Sequence, residues 1–280
     1  MIPTKTVAVH GATGSQGAPV AALLAAAGHR VRTLSRASGA DLLDRSSLQA
    51  AYAGADAVVL QLPLVYDERA LVMGQNAAGA AEAAGVTHLV LNTGGPLPPE
   101  PIGVPFLDAR LLAAAADVPR VTVLQPMTTY MENLNAAWSA ARIVRDGVVA
   151  YPVPAEVPLR WVATADVAVA VERALAREVA GWFELPGPAS TGYELAEALG
   201  GAIGRPVRWQ TIAPRVFAEL LRPALGDHAA DGTAAVYEMA AAAPPPPTPD
   251  PGPAREALDW APRDVAAWAR DAAWLLAQAA

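Results

Sequence analysis

Among its 280 residues the chain has no cysteine and a single lysine, Lys5. Without cysteine there are no disulfides, no thiolate nucleophile, no thiolate zinc site and no iron–sulfur cluster. That composition suits a reducing compartment, and the chain is expected in the cytoplasm. Histidine is also scarce. His10, His29, His88 and His228 show no metal-ligand spacing, so no metal site is expected. Long apolar runs are missing as well. The longest small-apolar run, Ala18 to Ala27, falls short of the roughly 20 residues that span a bilayer. The start, Met-Ile-Pro-Thr-Lys, runs straight into a strand pattern, so no signal peptide is expected. There is no stripe of basic residues, the net charge is -7 and the pI is about 5.1. Neither a nucleic acid nor a membrane is an expected partner.

What is present is apolar: 53% of the chain is hydrophobic, much of it alanine. This length allows one large domain, or a main domain with a smaller appendage. The first residues read as a strand (Thr6–His10), a glycine-rich turn, a helix from Gln16 to Ala27 closed by Gly28, and a second strand (Arg30–Ser35). That is a βαβ unit. The alternation goes on through a helix at Ser46–Tyr52, capped by Ser46 or Asp44, and a strand at Ala57–Gln61. Then come a helix at Glu68–Ala84, a strand at Thr87–Asn92, a helix at Asp108–Ala116 and a strand at Val121–Gln125. Continuous apolar strands between helices predict a doubly wound parallel sheet of the Rossmann type.

Beyond Tyr130 the rhythm changes. Helices are expected at Glu132–Arg145, Asp166–Arg177, Thr191–Ile203 and Pro262–Ala279. Extended chain is expected at Tyr151–Trp161, and Glu194 sits in capping-box position. The remainder reads as short and irregular. Residues 1–150 are expected to form the dinucleotide-binding domain. Residues 151–280 are expected to form a smaller, mostly helical substrate region interleaved with it. The proline-rich segment 243–253 reads as a polyproline spacer, with a recognition role as the alternative.

The turn His10-Gly11-Ala12-Thr13-Gly14-Ser15-Gln16-Gly17 places glycine at every third position. Gly11 permits a tight turn out of the strand. Gly14 lets the backbone approach a pyrophosphate. Gly17 allows close packing, and the following helix offers free N–H groups to phosphates. Thr13, Ser15 and Gln16 fill the turn. At the end of the second strand, an NAD enzyme places a carboxylate on the ribose. Here Ser35-Arg36 stands instead, a hydroxyl and a planar cationic fork suited to a 2′-phosphate. A solvated arginine would be the plain account of Arg36 alone. After this turn, phosphate binding and therefore NADP(H) is the expectation.

The Gly11–Gly17 motif resembles that of the NmrA-like subgroup of atypical short-chain dehydrogenase/reductases. The resemblance extends to Gly28–Arg36, to Asp41-Leu42-Leu43-Asp44 with Ser47-Leu48, and to Gly54–Val58. It continues at Tyr130–Leu134 and Thr164–Ala168. It implies that Asp41 and Leu42 flank the adenine, and that Gln61, Leu62 and Pro63 line the ribose on the nicotinamide side. It also places Thr93 and Tyr130 beside the nicotinamide as the candidate catalytic groups. One departure concerns the cofactor's adenine end. Relatives separate Arg36 from the Asp41 element by a helix and a strand, whereas four residues do so here. The second crossover is cut down, the third strand is expected to be vestigial, and the adenine end is expected to be open.

Most short-chain dehydrogenases protonate their product through Tyr-x-x-x-Lys. With Lys5 the only lysine, that dyad is excluded. Some relatives keep a lysine in the helix before the Val121 strand, where this chain has Leu107-Asp108-Ala109-Arg110-Leu111. Arg110 supplies charge but no proton. Tyr130 is equally well read as a packed aromatic. Hydride transfer to quinones, enones or iminium ions needs no strong acid, because the cofactor carries the chemistry. The reading is an NADPH-dependent reductase of a small conjugated or aromatic compound, acting as a monomer or homodimer. Trp161, Trp182, Trp209 and Phe217 are available to shape an apolar pocket or a core. A redox-inactive NADP(H) sensor and a non-redox cyclase or isomerase are the alternatives.

Overall fold

The computed structural model describes residues 4–127, 129–243 and 248–277. In chain order the first elements are β1 (Thr6–His10), α1 (Gly17–Ala26), β2 (Arg30–Leu34), α2 (Arg45–Tyr52) and β3 (Ala57–Gln61). They are followed by α3 (Arg69–Ala83), β4 (His88–Asn92), α4 (Pro105–Ala114) and β5 (Arg120–Pro126). Next come β6 (Thr129–Tyr130), α5 (Ala137–Asp146), β7 (Val148–Tyr151), β8 (Leu159–Val162), α6 (Thr164–Arg177) and β9 (Gly181–Leu185). The last are β10 (Ala189–Ser190), α7 (Gly192–Ile203), β11 (Arg208–Thr211), α8 (Pro214–Leu225), α9 (Asp227–Ala242), α10 (Gly252–Leu258) and α11 (Val265–Ala277).

The chain divides into two compact units. The first holds residues 4–127 with Thr164–Leu185 and Pro249–Ala261. Its six-stranded sheet has the order β2-β1-β3-β4-β5-β9, with every pairing parallel. This is the doubly wound, Rossmann-type α/β sheet expected of apolar strands alternating with helices. All five residues of β4 are buried, as a strand covered on both faces requires. Val58, Leu60, Leu89, Leu91 and Val123 form the centre of this core. From β1 the chain steps to β2 on one side and then to β3 on the other, so the switch point lies between β1 and β3.

No strand lies outside β2 among the described residues. A single 3-10 turn (Arg36–Ser38) and a short loop lead directly to α2, so the expected loss of the third strand is what the sheet shows. Asp44 caps α2 by accepting the N–H groups of Ser46 and Ser47. β9 did not stand out in the sequence. It is an edge strand whose Trp182 is exposed and Phe183 buried, an alternation too short to register.

The second unit holds residues 129–163, 186–243 and 262–277. Its core gathers Tyr151, Trp161, Leu195, Phe217 and Trp268. The chain therefore leaves the first unit at Met127, rather than at the expected 150, and returns to it twice. The helix expected over 132–145 is divided into a 3-10 turn at Met131–Asn133 and α5. Asn133 donates its amide to the Tyr151 hydroxyl at 3.2 Å, and asparagine competes with helical bonding. The stretch read as irregular contains β11, α8, α9 and α10. Proline obscured α8, which begins at Pro214 and tolerates Pro223 in its last turn. Pro244–Pro247 of the proline-rich segment lie outside the described residues. No helix among the described residues is long and apolar enough to cross a membrane.

Candidate functional site

The glycine turn starts where β1 ends. Gly11 adopts φ +65 and donates its N–H to Leu34 at 3.2 Å, which fastens the turn to β2. Gly14 donates to the Gly11 carbonyl at 2.8 Å, and Ala18 to Gly14 at 2.9 Å. A Cβ on Gly17 would stand 2.2 Å from the Gly11 oxygen, a backbone collision that nothing nearby can relieve. A Cβ on Gly14 would be 3.3 Å from the same atom. Gly17 thus spares the turn itself, besides letting α1 lie close. Thr13, Gly14 and Ser15 are exposed at the tip. Gln16, at the N-cap of α1, makes no side-chain cap, and the first turn carries no acidic residue. An uncapped, acid-free helix start behind a bare backbone cradle is a place for a phosphate. These residues fit a dinucleotide.

Beside the turn, His10 Nε2 lies 2.6 Å from the Tyr52 hydroxyl, both side chains being buried. Burial lowers the His10 pKa to about 4, so the imidazole is neutral. This pair ties the end of β1 to α2.

At the end of β2, Ser35 opens the 3-10 turn with a reciprocal cap: its hydroxyl accepts the Ser38 N–H, and Ser38 Oγ accepts that of Ser35. Arg36 is exposed, and no hydrogen bond or ion pair engages its guanidinium among the described residues. Asp41 is half-buried and turned to its own loop, where Oδ1 accepts the Leu43 N–H at 2.9 Å. Leu42 packs against the core, and its carbonyl accepts the Asn76 amide at 3.0 Å.

The carboxyl ends of β3 and β4 are stitched to the turn and to α4. Gln61 pairs with Asn92 across the two strands. Leu62 is buried in the core, whereas Pro63 is exposed. Asn92 donates its amide to Gln16 at 3.2 Å and accepts the Gly94 N–H at 3.1 Å. Thr93 is 1% exposed, and its hydroxyl faces the carbonyls of Gly95 and Leu124. A hydroxyl has one hydrogen and both of these neighbours are acceptors, so its proton is held inside the fold. Arg110 is buried, bonded to the carbonyls of Thr93, Leu62 and Phe106. Asp108 accepts the N–H groups of Ile102 and Gly103 at 3.0 and 2.9 Å and shapes the loop before α4.

Lys5 lies at the amino end of β1, where its ammonium bonds the Leu175 carbonyl at 2.9 Å and Glu178 at 3.0 Å. Tyr130 belongs to the second unit, buried in β6, which pairs with β8. Trp161, Trp209 and Phe217 surround Tyr151 in that unit's core, whereas Trp182 lies on β9 of the first unit. Among the described residues no group of three His, Asp or Glu could hold a metal. Sequence reasoning missed the His10–Tyr52 pair, the Asn92–Gln16 link and the clamp made by Arg110. A buried arginine in an apolar helix was the available signal for the last.

The NmrA-like family model matches residues 38–261, downstream of the glycine turn. An NAD(P)H azoreductase from Xenophilus azovorans is 30% identical over 225 residues, covering 74% of this chain and 77% of that protein. Among solved structures, the nucleoside-diphosphate-sugar epimerase of Staphylococcus aureus superposes with a TM-score of 0.71. It is 18% identical, and the match covers 95% of this chain and 99% of that one. Citrobacter sp. triphenylmethane reductase superposes with a TM-score of 0.70 at 20% identity, covering 96% and 99%.

Proposed function

The chain belongs to the NmrA-like family, and from that premise we propose that it is an NADPH-dependent reductase delivering hydride to a small, conjugated acceptor. The observation that carries this reading is the Gly11–Gly17 turn on the uncapped, acid-free start of α1. The azoreductase relative supports the same reading. Bound NADPH supplies the hydride and with it the redox chemistry.

The chain's own residues bind and orient. The turn from Gly11 through Thr13, Gly14, Ser15 and Gln16 to Gly17 takes the pyrophosphate, and Arg36 with Ser35 takes the 2′-phosphate. Asp41 and Leu42 border the adenine; Gln61, Leu62 and Pro63 border the second ribose. Thr93 keeps the 93–95 loop in shape through its bonded hydroxyl. Reduction of a simple ketone makes an alkoxide that wants a proton at once. The Thr93 proton is engaged, and the ammonium of the single lysine is at the other end of β1. Quinones, enones, iminium ions and azo bonds spread the incoming charge, and they are the acceptors these residues suit.

The test begins with titration of NADPH and NADH, followed by nicotinamide fluorescence, on the wild type and on Arg36→Ala. NADPH should bind well and NADH poorly. The substitution should weaken NADPH by about tenfold or more, the worth of a charged hydrogen bond, and leave NADH unchanged. Turnover with quinones and azo compounds should then exceed turnover with simple ketones. If neither nucleotide binds, the reading is wrong. The engaged Thr93 hydroxyl also suits a second reading, an NADP(H) sensor acting on a protein partner. Binding without turnover on any acceptor would favour it.

A further inference from the structure

In the second unit, α7 and the chain from Arg205 into β11 form the two walls of a groove of about 510 Å³. That volume lies within the range of small-molecule sites, roughly 300–1,000 Å³. The α7 wall carries Tyr193, Glu197 one turn later, and Gly201 near its end. The other wall carries Arg205, Arg208 and Trp209. Trp209 is half-buried and fixed. Its indole N–H donates to the Val153 carbonyl at 2.9 Å, and its ring centroid lies 5.4 Å from that of Tyr151. Tyr193 is 64% exposed and makes no ring contact among the described residues. An exposed phenol ring on one wall and a fixed indole on the other suit a flat aromatic ligand.

The charges of the groove narrow the class. Arg205 is engaged within the fold, donating to the carbonyls of Val144 and Arg145 at the end of α5. Arg208 is exposed, and among the described residues no hydrogen bond or ion pair engages its guanidinium. Its surroundings are basic. Arg142 donates to Gln210, two residues along β11, at 3.3 Å. The Arg145 guanidinium holds the Asp146 carboxyl below the ordinary carboxylate range, and Arg142 and Arg205 add to the effect. Arg142, Arg145, Arg205 and Arg208 outnumber Asp146 and Glu197 here, on a chain whose net charge is -7. An arginine fork beside a flat apolar slot matches an aromatic ring bearing a carboxylate. Glu197, on the facing wall, repels a second anionic group.

We propose that the groove between α7 and β11 binds a small aromatic monocarboxylate, its ring between Tyr193 and Trp209 and its carboxylate on Arg208. Every residue involved belongs to the second unit, so the site stands independently of the NADP(H) reading.

Calorimetric titration of the full chain with 2-naphthoate, 2-naphthalenemethanol and cyclohexanecarboxylate tests this, with thermal unfolding measured alongside. The naphthoate should bind with a Kd of about 0.1–1 mM. The neutral alcohol should bind about tenfold more weakly, and the saturated acid about threefold or more. Arg208→Gln should weaken the naphthoate about tenfold and leave the alcohol within about twofold. A Cβ on Gly201 would meet nothing within 4 Å, so Gly201→Leu should fold, fill the groove and abolish binding of all three. Should that variant not fold, the exposed Arg208 decides through its glutamine variant. Naphthoate binding that is no tighter than that of the alcohol, or that is unchanged in folded Arg208→Gln or Gly201→Leu, would overturn the proposal. So would a wild type that takes up no naphthoate at about 10 mM, tenfold above the weakest expected Kd. A dimer seen in sedimentation and dissociated by Gly201→Leu would overturn it too, because a second copy would then fill the groove.

Discussion

His10 and His88 are buried as neutral bases in the first unit. His10 faces Tyr52, and His88 Nε2 lies 2.8 Å from the Thr122 hydroxyl. Burial lowers both pKa values to about 4, and for His88 the nearby Lys5 and Arg120 add to the effect. An unfolded histidine titrates at about 6.5, so the unfolded chain takes up protons first as pH falls. The native state should therefore keep its full stability above about pH 6.5 and lose it between there and about pH 4. The loss should be on the order of 3 kcal/mol per site. Urea unfolding at pH 7, 5.5 and 4.5 checks this, and a flat profile would mean that neither histidine stays neutral. The acid-side loss should shrink in His88→Gln.

Among the elements, α7 has the clearest local code. Thr191 accepts the Glu194 N–H, and the Glu194 carboxylate accepts the Thr191 N–H at 2.8 Å. Thr191→Ala should cost about 1 kcal/mol in denaturant unfolding, while Thr191→Ser should cost little. This box was legible because both partners lie within one turn of each other. The same holds for the Gly11–Gly17 turn, the Asp44 cap and the shortened crossover, each written in neighbouring residues. What could not be read depends on distance. Arg110 reaches Leu62 across 48 positions, and Gln16 meets Asn92 across 76. The sequence places Thr93 just after β4, but the direction of its hydroxyl depends on Leu124 in the next strand. α8 was hidden by its prolines, Pro214 and Pro223, although Phe217, Ala218 and Leu221 give it a buried face at helical spacing. At its junction with α9, Arg222 bonds Glu219, Asp227 and Asp231.

On the scale of the whole molecule, neither unit is a continuous piece of chain. α6, β9 and α10 come back to the first unit after the chain has built part of the second. In the first unit, β9 pairs with β5 and α6 packs on α1. A fragment of residues 1–127 would expose β5 as an edge and strip one side of α1. It should be insoluble, or compact without fixed packing, with near-ultraviolet circular dichroism close to zero. A cooperative unfolding transition in that fragment would show that the returning segments are dispensable.

The missing strand has an effect unrelated to any cofactor. With no strand outside β2 among the described residues, one long side of the sheet is an edge, the kind of surface on which a second chain zips and seeds aggregation. β2 reads Arg-Val-Arg-Thr-Leu, with Arg30 and Arg32 both exposed. Arg32 also donates to the Ala53 carbonyl at 2.7 Å, which folds its long stem across the neighbouring loop. Two charges on a five-residue rim oppose edge-to-edge pairing with a second chain.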